Sequence, residues 1–440
     1  MISIYSISLG CPKNRVDTEW LLGAVPGPVR PVNTVAEADL VVINTCGFIQ
    51  PAVEESVRTV VEAIDDIQSL DNEDGGTRRP LLAVTGCLVG RYGREELAAE
   101  LPEVDLWLTN LDMVRWPAMV AAALGREENT TPMRLLSTGP SYAYLKISDG
   151  CDHRCAFCTI PSIRGGLRST PADQVEQDAR HLLAQGVREL IFVAQDVTAY
   201  GRDAGLRHGL RHGLRSLLDR ILPLAGLDRL RLMYLYPAGL TPELLHYLRD
   251  AGAPFVPYFD VPVQHAHPDV LSRMGRPFAR NPREVVDRIR DVFPEAALRT
   301  SLIVGYPGET EEHWTALRDF VRETRFLHLG VFAYRAEEGT PAAEMPDQVP
   351  DAEKEWRRDA LMEEQADISE EILATYEGDR LEVLVDTEHE EWPGLHVGRT
   401  WFQAPEVDGV TYVSGPGVTP GALVTADIVE TREYDLVALA

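Results

Sequence analysis

The chain has 440 residues, 45% of them hydrophobic, with 69 acidic side chains against 42 basic ones and a formal net charge of −27. Its length fits two or three globular domains, and no run of about 18 apolar residues is present to cross a membrane as a helix. A field of that sign repels phosphate backbones and favours basic partners, although, taken alone, solubility accounts for it better.

The opening MISIYSISLG lacks the basic segment of a secretory signal, which points to a cytoplasmic enzyme. Over residues 1–115 a strand–turn–helix rhythm repeats. ISIYSISL runs into Cys11, DLVVINT into Cys46 and LLAVTG into Cys87, at intervals that suit βαβ units. Helices are predicted over 51–69, which opens on Pro51, and over 91–101. Near-continuous apolar strands imply a parallel sheet covered on both faces. Ligands of such sheets gather at the carboxyl ends of the strands, where all three cysteines stand. Residues 116–140, with the polar tract LGREENTTPM, read as a crossing linker.

Residues 141–345 again alternate strands and helices. Strands are predicted over 143–148, 189–195, 229–237, 257–263, 297–305 and 326–334. Six such units are too few for a closed eight-fold barrel, so a partial parallel barrel with chemistry at its C-terminal rim is expected. The tandem repeat GLRHGLRHGLR (205–215) reads as a loop expansion. A long charged helix is predicted over 350–376, followed by four short strands separated by Gly and Pro, a small β-barrel pattern. From residue 371 onward there are three basic residues (Arg380, Arg399, Arg432) and fourteen acidic ones, which is no obvious grip for RNA.

All six cysteines fall into two sets of three. In a large cytosolic protein, metal or catalytic use fits better than disulfides, and the spacing C-DHR-C-AF-C is unlike a disulfide staple. Thiolates are soft ligands suited to iron–sulfur clusters. A four-iron cluster held by three cysteines keeps one iron open, so two triads point to two 4Fe–4S clusters, each with a reactive iron. His265 and His267 lie two apart beside a proline, not at the i, i+4 spacing of a helical metal site. A substrate-facing loop is expected for Gln264 and His265, and a separate zinc site is not.

The CxxxCxxC run after a first barrel strand closely resembles the signature of the radical S-adenosylmethionine superfamily. That resemblance implies that Cys151, Cys155 and Cys158 hold a cluster whose open iron chelates S-adenosylmethionine and cleaves it to a 5′-deoxyadenosyl radical. SLIVGYPGET (301–310) resembles the family's GxIxG-like segment along the adenine. Candidate cofactor-binding residues are Phe157, Gln195, Asp196, Gln264, Arg299 and Gly305; Arg299 suits pairing with a carboxylate. Asp196 equally suits a helix N-cap, and Gly305, Pro307 and Gly308 equally suit a turn.

Over nearly its whole length the chain resembles the methylthiotransferase family. SLGCPKNRVDTE (8–19), FDVPVQH (259–265) and GRTWFQAPEVDG (398–409) resemble its RimO-type branch, which modifies an aspartate of ribosomal protein uS12. The tRNA-modifying branch, which acts on an adenosine beside the anticodon, typically reads GCQMN at the first of these places. The resemblance implies an α/β chain in three parts. These are a flavodoxin- or Rossmann-like domain over 1–117, a partial (β/α)6 radical core over 137–368, and a small OB-like TRAM barrel over 371–438. It implies that Cys11, Cys46 and Cys87 ligate a second, sulfur-handling cluster. Two molecules of S-adenosylmethionine would serve, one as radical source and one as methyl donor, to give 3-methylthioaspartate. The partners implied are uS12, an electron donor such as flavodoxin or ferredoxin, and a sulfur donor; tRNA and membranes are not expected. By analogy the acidic barrel, with Trp401 and Phe402, would dock basic uS12, although Trp401 suits a core position as well.

Overall fold

The computed structural model describes residues 1–73, 79–130, 132–203, 213–276 and 281–440, so residues 205–212 of the GLRH repeat lie outside the described residues. The chain groups into two compact units: residues 1–137 with 149–153 and 158–168, and residues 138–148 with 154–157 and 169–440.

In the first unit, β1 (Ile2–Ser8), α1 (Pro12–Ala24), β2 (Val29–Pro31), β3 (Leu40–Thr45), α2 (Gln50–Glu73) and β4 (Leu81–Gly86) follow one another. Then come α3 (Cys87–Tyr92), α4 (Arg94–Glu100), β5 (Leu106–Trp107) and α5 (Trp116–Leu124). The strands pair in parallel in the order β2-β1-β3-β4-β5. This is the flavodoxin-like order, whose direction of winding reverses between β1 and β3. Every residue of β3 is buried. Val41 and Ile43 pack with Val60 and Ile64 of α2, whereas Leu40 and Val42 pack with Leu21 of α1 and Trp116 of α5. A strand covered on both faces has no polar side, hence its unbroken apolar run.

Two expectations are corrected here. The helix predicted over 91–101 is two helices, because Gly93 between them takes a φ of 85° that ends the first. The predicted linker over 116–140 begins as α5, with Pro117 in its first turn where a missing N–H costs nothing and with Trp116, Val120 and Leu124 in the core. Farther along, the buried Arg134 Nε lies 2.6 Å from the buried Glu19 Oε2 of α1. Ser137 donates its N–H and hydroxyl to Glu19 Oε1 at 2.8 and 2.6 Å. Helix α5 and Arg134 are therefore built into this unit, while most of the described residues between them are exposed. Arg134→Ala leaves a buried carboxylate without its cation and is expected to cost about 3–5 kcal/mol in urea unfolding. A loss under about 1 kcal/mol, the worth of a surface pair, would contradict this assignment.

Short strands β7 (Ser148–Asp149) and β8 (Arg168–Ser169) and helix α6 (Ile160–Arg164) flank the cysteine loop in sequence. In the second unit β6 (Tyr142–Lys146), α7 (Ala172–Ala184), β9 (Glu189–Val193), α8 (Leu214–Ile221), β10 (Arg229–Leu232) and α9 (Pro242–Ala251) are followed by β11 (Phe255–Asp260). Next come α10 (Pro268–Arg273), α11 (Arg283–Val292), β12 (Ala297–Val304), α12 (Glu311–Thr324) and β13 (His328–Ala333). The six strands from β6 and β9 through β13 pair in parallel in chain order, the staves of a partial barrel. Helix α13 (Asp351–Leu373) leads to β14 (Arg380–Glu388), β15 (His396–Arg399), β16 (Thr411–Ser414), β17 (Leu423–Thr431) and β18 (Leu436–Leu439), which close a small barrel. Tyr144 Oη lies 3.1 Å from Glu406 Oε2 and Tyr258 Oη 2.7 Å from Asp408 Oδ2, fixing the 399–408 segment to the parallel strands. No helix among the described residues is long and apolar enough to cross a membrane.

Candidate functional site

Cys11, Cys46 and Cys87 follow the carboxyl ends of β1, β3 and β4, and all six cysteines are free thiols. Glycines bring the first three together. A Cβ on Gly10 would lie 2.9 Å from Cys46 Cβ and 3.0 Å from its Sγ; one on Gly47 would lie 2.8 Å from the backbone of Cys87. Only residues without a Cβ admit these approaches.

The pocket is polar on its helix side. Cys11 is the N-cap residue of α1, and Lys13, Asn14, Asp17 and Thr18 of that helix are buried. Asn14 Nδ2 donates to Leu9 O and Thr45 O at 2.8 and 2.9 Å, binding the ends of two strands. Arg164 of α6, wholly buried, donates from Nε to Cys87 Sγ at 3.4 Å and from Nη2 to Asn14 Oδ1 at 2.5 Å. Its Nη1 meets Asp17 Oδ2 at 3.1 Å and both oxygens of Asp149 at 3.0 and 3.2 Å. Burial pushes the Cys11 thiol up, but Lys13, Arg164 and backbone N–H groups outweigh it and hold the group below its ordinary range. Burial, with Cys87 and Cys11 nearby, raises Cys46 to about 11, and burial raises Cys87 against the pull of Arg164. Three thiols beside two cations, two of the thiols costly to ionise in the bare protein, form a donor set that suits a metal cluster, since coordination removes the protons.

The run Cys151–Cys158 passes through both units. In the first, the Cys151 N–H donates to Gly165 O at 3.1 Å, and Asp152 Oδ1 accepts from Leu167 N at 3.0 Å. In the second, Arg276 donates from Nη1 to Cys155 Sγ at 3.3 Å and from Nη2 to Pro262 O at 2.7 Å, with its guanidinium 4.5 Å from the Tyr236 ring centre. Phe157 packs on the apolar cluster of Ala156, Val270, Leu271, Met274 and Tyr306. The half-buried Gln195 follows β9. Gln264 has a φ of 71°, uncommon for a residue with a side chain; its N–H donates to Ser301 O and its carbonyl accepts from Ile303 N. Strain of this kind gathers at functional sites.

Other sequence candidates are taken up inside the protein. Asp196 has the capping role: its Oδ1 accepts from Thr198 N and Oγ1 at 2.9 and 2.6 Å. Arg299 pairs with carboxylates of the chain itself, Nη1 at 2.9 Å from Asp260 and Nε at 3.4 Å from Asp408. Gly305, φ 70°, is required by packing, because a Cβ there would come within 2.2 Å of Lys354 Cγ. His265 does not face a substrate. It is fully buried, and its Nε2 lies 3.5 Å from Glu309 Oε2. Phe402 is core, stacked on Tyr376 at 4.6 Å, and Trp401 packs edge-on against it.

His267, Asp269 and His313 cluster closely enough to suggest a metal site. However, His267 Nδ1 accepts from Asp269 N and His313 Nδ1 accepts from Thr310 N. In neutral imidazoles those bonds put the proton on Nε2 and leave it no lone pair for a metal. Sequence reasoning missed Asn14, Asp17, Arg164 and Arg276. Asn14 and Asp17 had a readable signal, since they lie three apart in CPKNRVD on one helical face with Cys11 as cap; the two arginines had none.

The profile of the Radical SAM superfamily matches residues 145–321, that of the Uncharacterized protein family UPF0004 residues 3–109 and that of the TRAM domain residues 378–440. The chain is 74% identical over 440 residues to the ribosomal protein uS12 methylthiotransferase RimO of Oleidesulfovibrio alaskensis, covering 100% of each. It is 55% identical to the protein of the same description from Lawsonia intracellularis, covering 99% of this chain and 97% of that one. Among solved structures, the radical S-adenosylmethionine methyltransferase TsrM from Kitasatospora setae aligns with a TM-score of 0.55 at 15% identity, covering 90% of this chain and 80% of that one. The cobalamin-dependent radical enzyme OxsB aligns at 0.52 and 12% identity, covering 84% and 56%. These two likenesses concern the fold alone.

Proposed function

Because the chain belongs to the uS12 methylthiotransferase family of the RimO type, we propose that it methylthiolates the β-carbon of an aspartate in ribosomal protein uS12. The observation that carries the reading is the convergence of Cys11, Cys46 and Cys87 on the Lys13 and Arg164 side of α1, in a chain that has a second triad at Cys151, Cys155 and Cys158. The chemistry that two 4Fe–4S clusters and S-adenosylmethionine supply when bound is radical formation at the second triad and sulfur delivery at the first.

The protein's own residues perform the rest. Arg276 and Arg164 each present an N–H to one thiolate, which fixes its orientation and offsets its charge. Phe157 and its apolar neighbours keep water from the Cys155 side. Gln195 and Gln264, at the carboxyl ends of β9 and β11, stand where a barrel of this kind binds ligands. The three segments 1–117, 137–368 and 371–438 would act in a cytoplasmic enzyme served by an electron donor of the flavodoxin or ferredoxin class and by a sulfur donor.

Charge favours the protein substrate over tRNA. Each arginine of the C-terminal barrel lies beside a carboxylate: Arg399 on Glu189 and Asp386, Arg432 on Glu430, Arg380 on Asp427. Arg399 is buried and the two exposed arginines each have a carboxylate beside them, so the barrel offers a phosphate backbone little positive field. Expression in a host without its own uS12-modifying enzyme is expected to add about 46 Da, an SCH₂ unit, to uS12 and to leave tRNA unchanged. Intact-protein and nucleoside mass spectrometry check this; a new tRNA modification with unmodified uS12 would reverse the assignment.

A further inference from the structure

Arg164 has more work than a structural arginine needs. It sits six residues past Cys158 and is wholly buried, and its three nitrogens divide among four partners within the first unit. Nε is on Cys87 Sγ, Nη2 is on Asn14, which ties down the ends of β1 and β3, and Nη1 is on Asp17 and Asp149. Asp149 precedes Cys151 by two residues, so within this unit one guanidinium spans from the base of the radical-type cysteine loop to a thiol of the scattered triad. Its charge is shared by two carboxylates, Asp17 and Asp149, and Cys87 and Cys11 also fall within its field.

We propose that Arg164 is a positioning residue that sets the reduction potential of a cluster on Cys11, Cys46 and Cys87, by a hydrogen bond to the Cys87 sulfur and a buried positive charge. The proposal rests on the reading that these three cysteines hold a cluster. Reduction adds one electron and makes the cluster more anionic. A buried cation and an N–H···S bond favour that state, so they raise the potential. No proton transfer is required.

The test uses the full chain carrying Cys151→Ala, Cys155→Ala and Cys158→Ala, which isolates the scattered triad, loaded with iron and sulfide. With ¹⁵N-arginine, pulsed electron paramagnetic resonance of the reduced cluster is expected to detect a ¹⁵N coupling that disappears in Arg164→Lys. In Arg164→Gln the ratio of reduced to oxidised cluster at fixed solution potential should fall about tenfold, equivalent to about 59 mV for one electron. Arg164→Lys, which keeps charge without the fork, should shift it less. Because Arg164→Gln leaves two carboxylates uncompensated, Asp17→Asn/Arg164→Gln serves as the second variant and should show the same direction of shift. A folded, loaded variant with unshifted potential, or a wild-type spectrum without the coupling, overturns the role of Arg164 alone. Absence of iron from the isolating variant overturns the cluster reading as well.

Discussion

A chain with Cys11, Cys46 and Cys87 all changed to alanine is expected to keep half of the iron, to go on cleaving S-adenosylmethionine, and to make no methylthiolated uS12. The converse chain, with Cys151, Cys155 and Cys158 changed, should lose both cleavage and product. This asymmetry follows from where the triads stand. The scattered cysteines lie beyond three adjacent strands of one parallel sheet, their approach set by Gly10 and Gly47, and each is a small side chain, half-buried at Cys11 and Cys46 and buried at Cys87, that alanine replaces without adding volume. The eight-residue loop and its Arg276 contact are not built from them. Removing a residue that supports a metal ligand typically costs 10–100-fold, so loss of all three ligands should lower product formation by more than about 100-fold. Iron and sulfide analysis, 5′-deoxyadenosine release and the mass of uS12 provide the three readouts. Full iron content in the first variant, or product at the wild-type rate, would refute a division of labour between the triads.

The sequence foretold this site unevenly, for physical reasons. The register of Cys46 and Cys87 was legible because β3 and β4 are buried on both faces and read as apolar runs that end with two residues between them and a cysteine. Helix α1 was not, because its buried stripe is polar: Lys13, Asn14, Asp17, Thr18 and Glu19 all point inward. Amphipathic periodicity finds helices by their apolar face and passes over one whose function is to present amide, cation and carboxylate to a pocket. Helix α5 was hidden behind Pro117 and the polar tract that follows it. The barrel strands were legible, but which of their polar residues face a ligand was not. Asp196, His265 and Arg299 all sit beside motif segments, and all are spent on bonds within the chain. Arg164 meets Asn14 across 150 positions, a distance no local pattern spans.

Glu189→Gln is expected to destabilise the second unit by about 3–5 kcal/mol at neutral pH, with a deficit that shrinks in acid. Glu189, the first residue of β9, is fully buried; its Oε1 lies 2.7 Å from Arg231 Nε and its Oε2 2.7 Å from Arg399 Nη1. Arg399 can turn to Asp386, at 2.7 Å from Nε. Arg231 is more exposed to the loss, since its two terminal nitrogens have no hydrogen-bond partner among the described residues and its guanidinium rests on the Tyr258 ring at 4.5 Å. Glutamine keeps the shape of Glu189 but leaves that cation buried and uncompensated. Burial alone would raise the Glu189 carboxyl, yet Arg231, Arg399 and Arg229 outweigh it and hold it down to about 2, below the ordinary 4.5. A carboxyl held low in the folded state contributes stability that is complete above 4.5 and is lost as the pH falls from there through 2. The wild type should therefore lose its advantage over Glu189→Gln across that window. Urea midpoints of both proteins, measured from neutral pH downward, test it, and a gap that stays constant to pH 3 would show that the charge of Glu189 does not hold the C-terminal barrel's Arg399 and the β10 arginine in place.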